Sequence, residues 1–298
     1  MDLLTISKLI QQRQFFEASK LAQSYLNDKG ICVDALNLLG VAYTQLNQLI
    51  DAKRAFETAA MSFPNHFKSH LNLALTLIRL NELDSAKALL QTCNTLTADH
   101  PEVLNSLGNL YRLEGNLSKA EYYLSRAANV APQNPQIAEN QAWLLLNQHK
   151  FDDAHRLFSK LYKAFPRRIE CAQGLAESLI YIKHFSEAET LLTSLTNQPH
   201  LLHKTYYLLS KLEQHREQPQ QRIKWLNKAL SIEPNDERLN QSIVRANIEI
   251  GNTEVAKKQI MVLLENDSTW TEAFFILLYS CSHKLTQVQE VKLFRLLD

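Results

Sequence analysis

Glycine occurs only six times in this chain of 298 residues. Loops that cradle phosphate need clustered glycines, because only glycine lets successive backbone N–H groups converge on an anion. Four of the six, Gly40, Gly108, Gly115 and Gly251, sit at recurrent positions described below, so no cluster remains to form such a loop. No GxSxG, GxGxxG, HExxH or CxxC spacing occurs, which removes the common hydrolase, dinucleotide and zinc signatures. The four cysteines, Cys32, Cys93, Cys171 and Cys281, are far apart and read as reduced small hydrophobes. No apolar run approaches the roughly 18 residues needed to span a bilayer. The opening Met1-Asp2-Leu3-Leu4 lacks a basic segment followed by an apolar stretch and cleavage site, so a cytoplasmic location without membrane association is expected. An excess of charge is missing too. With 32 basic and 31 acidic side chains the net charge is +1, and no global field draws the chain to nucleic acid or anionic lipid.

What the chain has is a clock. Ala18, Ala52, Ala86, Ala120, Ala154 and Ala188 stand 34 residues apart, and Ala256 lies two periods beyond the last of them. A fixed period of that length is the signature of a solenoid. If each unit is numbered so that this alanine takes slot 20, slot 8 holds Gly40, Ala74, Gly108, Ala142, Ala176 and Ser210. Small residues there let two helices of a hairpin approach closely. Slot 7 carries Leu39, Leu73, Leu107, Leu175, Leu209 and Ile243, and slot 24 carries Phe56, Leu90, Leu124, Phe158, Leu192, Leu226 and Ile260, the fill between helices. Pro64, Pro132, Pro166 and Pro234 share slot 32, where a residue with fixed φ and no N–H stops a helix.

This pattern resembles the tetratricopeptide repeat family. Residues 33–66 place Leu36, Leu39, Gly40, Tyr43, Ala52, Phe56, Ala59 and Pro64 in the family's register, and residues 101–134 repeat it with Leu104, Leu107, Gly108, Tyr111, Gly115, Ala120, Ala127 and Pro132. The resemblance implies an all-α, right-handed solenoid of eight to nine helix-turn-helix units, one elongated domain, with units at 1–32, 33–66, 67–100, 101–134, 135–168, 169–202, 203–236, 237–270 and a partial 271–298.

Two units depart from the pattern. The seventh carries Arg222 at slot 20 and Glu213 at slot 11, and its polar segment 215–221 contains Pro219. A looser helix contact and a longer turn are expected there. The last unit ends on Val288, Val291, Leu293, Phe294, Leu296 and Leu297 without a polar cap, which leaves two expectations. Either this helix packs back on unit eight, or a partner or a further domain covers that end.

In the family, helix A of each hairpin lines a concave groove. Its outward slots 2, 5, 6, 9, 12 and 13 carry amides and aromatics, among them Asn37, Asn72, Asn105, Asn109, Asn140, Trp143, Glu177 and Tyr181, with Ser106, Glu139 and Gln173 beside them. A carboxamide both donates and accepts, so a row of them suits the backbone of an extended peptide, and exposed rings at Trp143 and Tyr181 would anchor it. The lysine, asparagine and arginine clamp with which some relatives hold acidic chaperone tails is missing: Lys68 is followed by Asn72 where a second cation is needed. His66 with His70, and His200 with His203, have helical spacing, but neither pair has a carboxylate or cysteine at ligand distance, so no metal site is expected. The expected function is a non-catalytic scaffold, without cofactor, that binds a protein or peptide partner. The alternative is the repeat arm preceding a sulfotransferase or glycosyltransferase domain, which the opening Ile6, Leu9, Ile10, Phe16, Ala18 and Leu21 weakly resembles.

Overall fold

A computed structural model describes residues 2–198 and 202–265. The described residues form helices and no strand: α1 (Leu3–Gln11), α2 (Phe15–Lys29), α3 (Val33–Gln45), α4 (Leu49–Ser62), α5 (Phe67–Arg79), α6 (Leu83–Leu96), α7 (Pro101–Leu113), α8 (Leu117–Val130), α9 (Pro135–Asn147), α10 (Phe151–Ala164), α11 (Ile169–Tyr181), α12 (Phe185–Leu195), α13 (Leu202–His215), α14 (Pro219–Leu230), α15 (Glu237–Glu249) and α16 (Thr253–Glu265). Odd-numbered helices are the A helices of the repeat and even-numbered ones the B helices. The expectations for the apolar C-terminal run and for His200 lie outside the described residues.

The clock is visible in the backbone. Every described A helix ends so that slot 15 takes a left-handed φ, at Arg13, Asn47, Asn81, Gly115, His149, Lys183, Glu217 and Gly251. The next amide then bonds back to the carbonyl five residues earlier, as in Gln48 to Tyr43, Asn116 to Tyr111 and Gln218 to Glu213, each at 2.9 Å. This is the Schellman closure, which satisfies carbonyls orphaned at a helix end. Helix B starts two residues after the left-handed position in every described repeat. The turn in the seventh repeat is the same three-residue turn as in the others, so the longer turn expected from its polar sequence does not form. Proline lacks a hydrogen-bonding N–H that the first helical position does not need, and Pro219 sits there at the start of α14, as Pro101 and Pro135 do in α7 and α9.

The chain divides into two compact units between Lys150 and Phe151, inside the fifth repeat. In the first, Ala18, Ala52, Ala86 and Ala120 are fully buried. Gly40 faces Phe56 and Gly108 faces Leu124, so closely that an added Cβ would come within 2.5 and 2.6 Å of those side chains. One apolar cluster runs from Ala52 and Phe56 through Leu90 and Leu107 to Leu144, with a second around Ile6, Ala18 and Ala22. In the second unit Ala154 and Ala188 are fully buried, and Gly174 makes room for the ring of Phe158.

The expected loosening around Arg222 is also not what occurs. Arg222 is buried, yet its Nη1 donates to both carboxylate oxygens of Glu249 at 2.7 and 2.8 Å, tying α14 to α15 of the next repeat. Glu213, also buried, lies 3.5 Å from Arg216. Burial pushes its carboxyl above the usual range, and Arg216 offsets part of that shift.

Candidate helix A binding face

In the first compact unit the A helices are bridged side to side by amides. Asn37 Nδ2 donates to the Val33 carbonyl and to Ser69 Oγ, both at 2.8 Å, and its Oδ1 accepts from Asn72 Nδ2 at 3.2 Å. Asn37 lies on α3; Ser69 and Asn72 lie on α5. The motif recurs between α7 and α9, where Asn140 Nδ2 donates to Asn105 Oδ1 at 2.9 Å. Donors pair with acceptors here in slots 5 and 6 of adjacent repeats, so these asparagines hold one another before they could hold anything else. Both N–H donors of Asn37 are thereby used, and its Oδ1 accepts one bond. Among the described residues, Asn72 keeps its Oδ1 and one N–H without a partner, and Asn105 keeps its Nδ2 group.

The slots expected to point outward differ in exposure. Asn140, Ser106 and Glu139 are buried, and Asn37, Asn72, Asn105, Asn109 and Trp143 are half-buried. Adjacent A helices close over slots 5 and 6, which a periodicity argument on a single helix does not see. Asn109 Oδ1 accepts from Arg112 Nη2 at 2.8 Å and Nε at 3.3 Å, and Arg112 Nη1 reaches Asn147 Oδ1 at 3.1 Å on the next A helix. Arg79 reaches the other way, from α5 to the Thr44 carbonyl at 3.3 Å and Asn47 Oδ1 at 3.1 Å at the end of α3. Both arginines stand in slots already assigned to the outer face, and attention to amides and aromatics passes over them.

In the second compact unit, Glu177 and Tyr181 of α11 are committed to a cluster. Lys211 Nζ donates to Glu177 Oε1 at 2.6 Å and lies 4.6 Å from the Tyr181 ring centre. Phe151 stacks on the same ring at 4.3 Å and 9°, and His215 meets it nearly edge-on at 5.6 Å. A free tyrosine anchor, as its slot suggests, is therefore not what Tyr181 presents. Burial works against the Lys211 charge, but Glu177 outweighs it and the lysine pKa rises. Burial, together with Lys211 and Lys183, lowers that of His215. Gln173 Nε2, fully buried, donates to Thr205 Oγ1 at 3.0 Å on the next A helix. Thus Asn37 to Ser69 and Gln173 to Thr205 are one contact made in both units, from slot 5 to slot 3 of the following repeat.

No group of three His, Cys, Asp or Glu side chains among the described residues is placed to hold a metal ion, and no described helix is long and apolar enough to cross a membrane. His66 Nδ1 lies 2.8 Å from Ser69 Oγ and accepts the Ser69 amide, while His70 Nε2 bonds the Pro64 carbonyl at 2.6 Å. These imidazoles cap and brace the start of α5. Burial pushes the Cys93 thiol up to about 11, so it stays protonated and unreactive.

Comparison with known proteins agrees with the repeat. The tetratricopeptide repeat profile matches residues 44–110, and a second profile of that description matches 203–236. A tetratricopeptide repeat protein from Parabacteroides merdae superposes with a TM-score of 0.65 at 17% identity, over 82% of this chain and 96% of that one. Cut9 in the APC/C hetero-tetramer Cut9–Hcn1 gives 0.68 at 16%, over 82% of this chain and 48% of its own. Yeast Tom70 gives 0.56 at 18%, over 94% and 59%. In sequence, the human protein O-mannosyl-transferase TMTC1 is 26% identical over 137 residues, which is 46% of this chain but only 15% of that protein's length. A period of 34 residues, a left-handed turn at one slot of every described hairpin and two matched segments agree: the chain carries tetratricopeptide repeats.

Proposed function

We propose that this protein is a non-catalytic interaction scaffold that holds an extended segment of a partner protein along the A helices of its first compact unit. The observation that carries this is the half-satisfied amide of Asn72, flanked by those of Asn105 and Asn109. Asn72 offers an oxygen and an N–H at the face, the pair a peptide backbone requires. Asn37 supports it by fixing the amide's orientation. Trp143, half-buried on α9, adds apolar area at the end of the same row. Within this proposal Glu177 and Tyr181 stabilise the second unit itself and do not contact the ligand, and the protein acts in the cytoplasm.

Display of random dodecapeptides tests the proposal. The chain is expected to select binders, and Asn72→Ala with Asn109→Ala to weaken the best of them about tenfold or more, as loss of two hydrogen bonds implies. Helicity and melting temperature should stay near the parent's. Binders that are indifferent to both substitutions would place the contact elsewhere, and a selection that yields none would sink the groove.

The similarity to 137 residues of an O-mannosyl-transferase favours a second possibility, that such repeats serve as the recognition arm of a transferase. Binding would then still reside in the A helices, and chemistry would require residues outside this sequence. Addition of the purified chain to a mannosyl-transfer reaction that already contains enzyme and protein acceptor distinguishes the two: a scaffold for another partner leaves the rate unchanged, whereas a recognition arm competes for the acceptor and lowers it.

A further inference from the structure

Helix A of each of the first six repeats carries an apolar or aromatic residue at slot 11: Leu9, Tyr43, Leu77, Tyr111, Leu145 and Leu179. The seventh repeat puts a carboxylate there. Glu213 of α13 is buried, at 7% exposure, where the other repeats fill the space between the helices of a hairpin. An ionised carboxylate withdrawn from water is tolerated only where a cation or hydrogen-bond donors replace the lost solvent.

The charges around Glu213 are mostly spent elsewhere. α13 packs against α11, α12 and α14. From α11, Glu177 is committed to Lys211 at 2.6 Å. From α14, the buried Arg222 turns to Glu249 of α15 at 2.7 Å, and Lys224 and Lys228 lie over the Trp225 ring. From α12, Glu187 holds His184 at 2.9 Å, and the half-exposed Glu189 points to α13. His215 faces Tyr181. Among the described residues, the cation that reaches Glu213 is Arg216, the first residue past α13, whose Nη1 stands 3.5 Å from Glu213 Oε1. That guanidinium is shared, because its Nη2 donates to Glu189 Oε2 at 2.7 Å. Two carboxylates on adjacent repeats therefore face one cation, and the better solvated of them holds the shorter bond. Burial raises the Glu213 pKa, Arg216 lowers it and Glu189 raises it again, which leaves the carboxyl above its ordinary range.

We propose that Glu213 and Glu189 compete for Arg216, and that proton uptake by Glu213 ends the competition and firms the contact between repeats six and seven. The neutral acid needs no cation and gives Arg216 wholly to Glu189, which ties α12 to the end of α13. A group that holds its proton more tightly in the folded chain than in the unfolded one favours folding at low pH, and this contribution is lost as pH rises through the folded titration. The Glu213 share of the contact is thus fully present in acid and lost toward neutral pH.

Hydrogen exchange of the full chain, measured by mass spectrometry from about pH 5 to about pH 8 and expressed as protection factors, reads the contact. Protection of residues 202–215 in the parent is expected to fall as pH rises, whereas Glu213→Gln should hold it and exceed the parent about threefold or more at the upper end. The side-chain carboxyl carbon of Glu213, identified by NMR as the signal that Glu213→Gln lacks, reads the competition. In Glu189→Gln, where Arg216 keeps one carboxylate, this signal should titrate at lower pH than in the parent. Glu187→Gln, an equal charge change on the same helix, should leave it in place. Parallel protection of the parent and Glu213→Gln at every pH would show that no proton-linked contact exists. A Glu213 signal unmoved in Glu189→Gln, or moved as far in Glu187→Gln, would show that Arg216 is not contested. A Glu213→Gln chain less protected than the parent throughout would make the ionised carboxylate a stabilising partner and overturn the proposal.

Discussion

Gly174 shows how tightly single residues are held. A Cβ added there would stand 2.2 Å from a ring carbon of Phe158, a side chain that is itself fully buried. Gly174→Ala is expected to cost about 1–3 kcal/mol through overpacking, read as a fall in melting temperature, and Phe158→Leu in the same chain should restore part of it. Recovery of nothing in the double variant would mean that the ring is not the obstacle. Gly174 is silent in the period because it occupies slot 6, not the small-residue slot 8, and its role depends on a ring from the preceding repeat. The left-handed positions work the other way. Six repeats tolerate a side chain at a φ of 58° to 64°, a conformation that costs a non-glycine residue about 1–2 kcal/mol. Glycine's extra chain entropy returns about 0.5–1 kcal/mol of that, so Glu217→Gly should stabilise by about 0.5–1 kcal/mol in urea melts. Gly251→Ala should destabilise by a similar amount.

Between elements, one contact recurs with changing chemistry. Residue 21 of a repeat, on helix B, reaches slot 14 of the next, past helix A: Lys87 to Glu114 at 2.5 Å, Glu121 to Gln148 at 2.8 Å and Glu189 to Arg216 at 2.7 Å. Because polarity inverts while position stays, the place and not the sign is what the fold requires. Lys87→Glu alone should lower the melting temperature, and Glu114→Lys added to it should recover most of the loss, giving the weak favourable coupling of exposed pairs. A coupling near zero would make this contact incidental. Arg222 is the same principle at slot 20. As an isolated symbol in place of alanine it reads as a packing defect; in the fold it is a tie to Glu249. Hairpins, turns and small-residue contacts were legible because they repeat within one unit. The asparagine bridges, the Glu249 tie and the arginine braces were not, since each partner stands in the neighbouring repeat and only stacking defines the pair. The same physics explains why the candidate site was half legible: the slots of Asn72 and Asn109 were readable, but that Asn37 and Tyr181 are consumed by internal contacts was not.

For the whole chain, the alanine period runs unbroken from Ala120 to Ala154 and argues for one elongated array, yet the compact units part between Lys150 and Phe151. A period records what each hairpin needs and not how hairpins group. Within the first unit the grouping has a visible closure. Ile137 of α9 joins Leu104 of α7 and Ala127 of α8 in one apolar cluster, and Leu144 extends the main core, so α9 covers the face that α7 and α8 would otherwise expose. Its remaining surface includes Gln136 and Asn147, both exposed, and suits a terminal helix. Repeat arrays draw stability from each repeat and from nearest-neighbour interfaces, so a stack ending on a closed interface should fold alone. Residues 1–150 expressed by themselves are expected to keep helical ellipticity per residue near that of the full chain and to melt cooperatively. Residues 1–133, which lack α9 and bare Leu104 and Ala127, should melt lower and resist protease less. Equal melting of the two fragments would show that α9 closes nothing, and an unfolded 1–150 fragment would show that the first unit depends on the remainder of the chain.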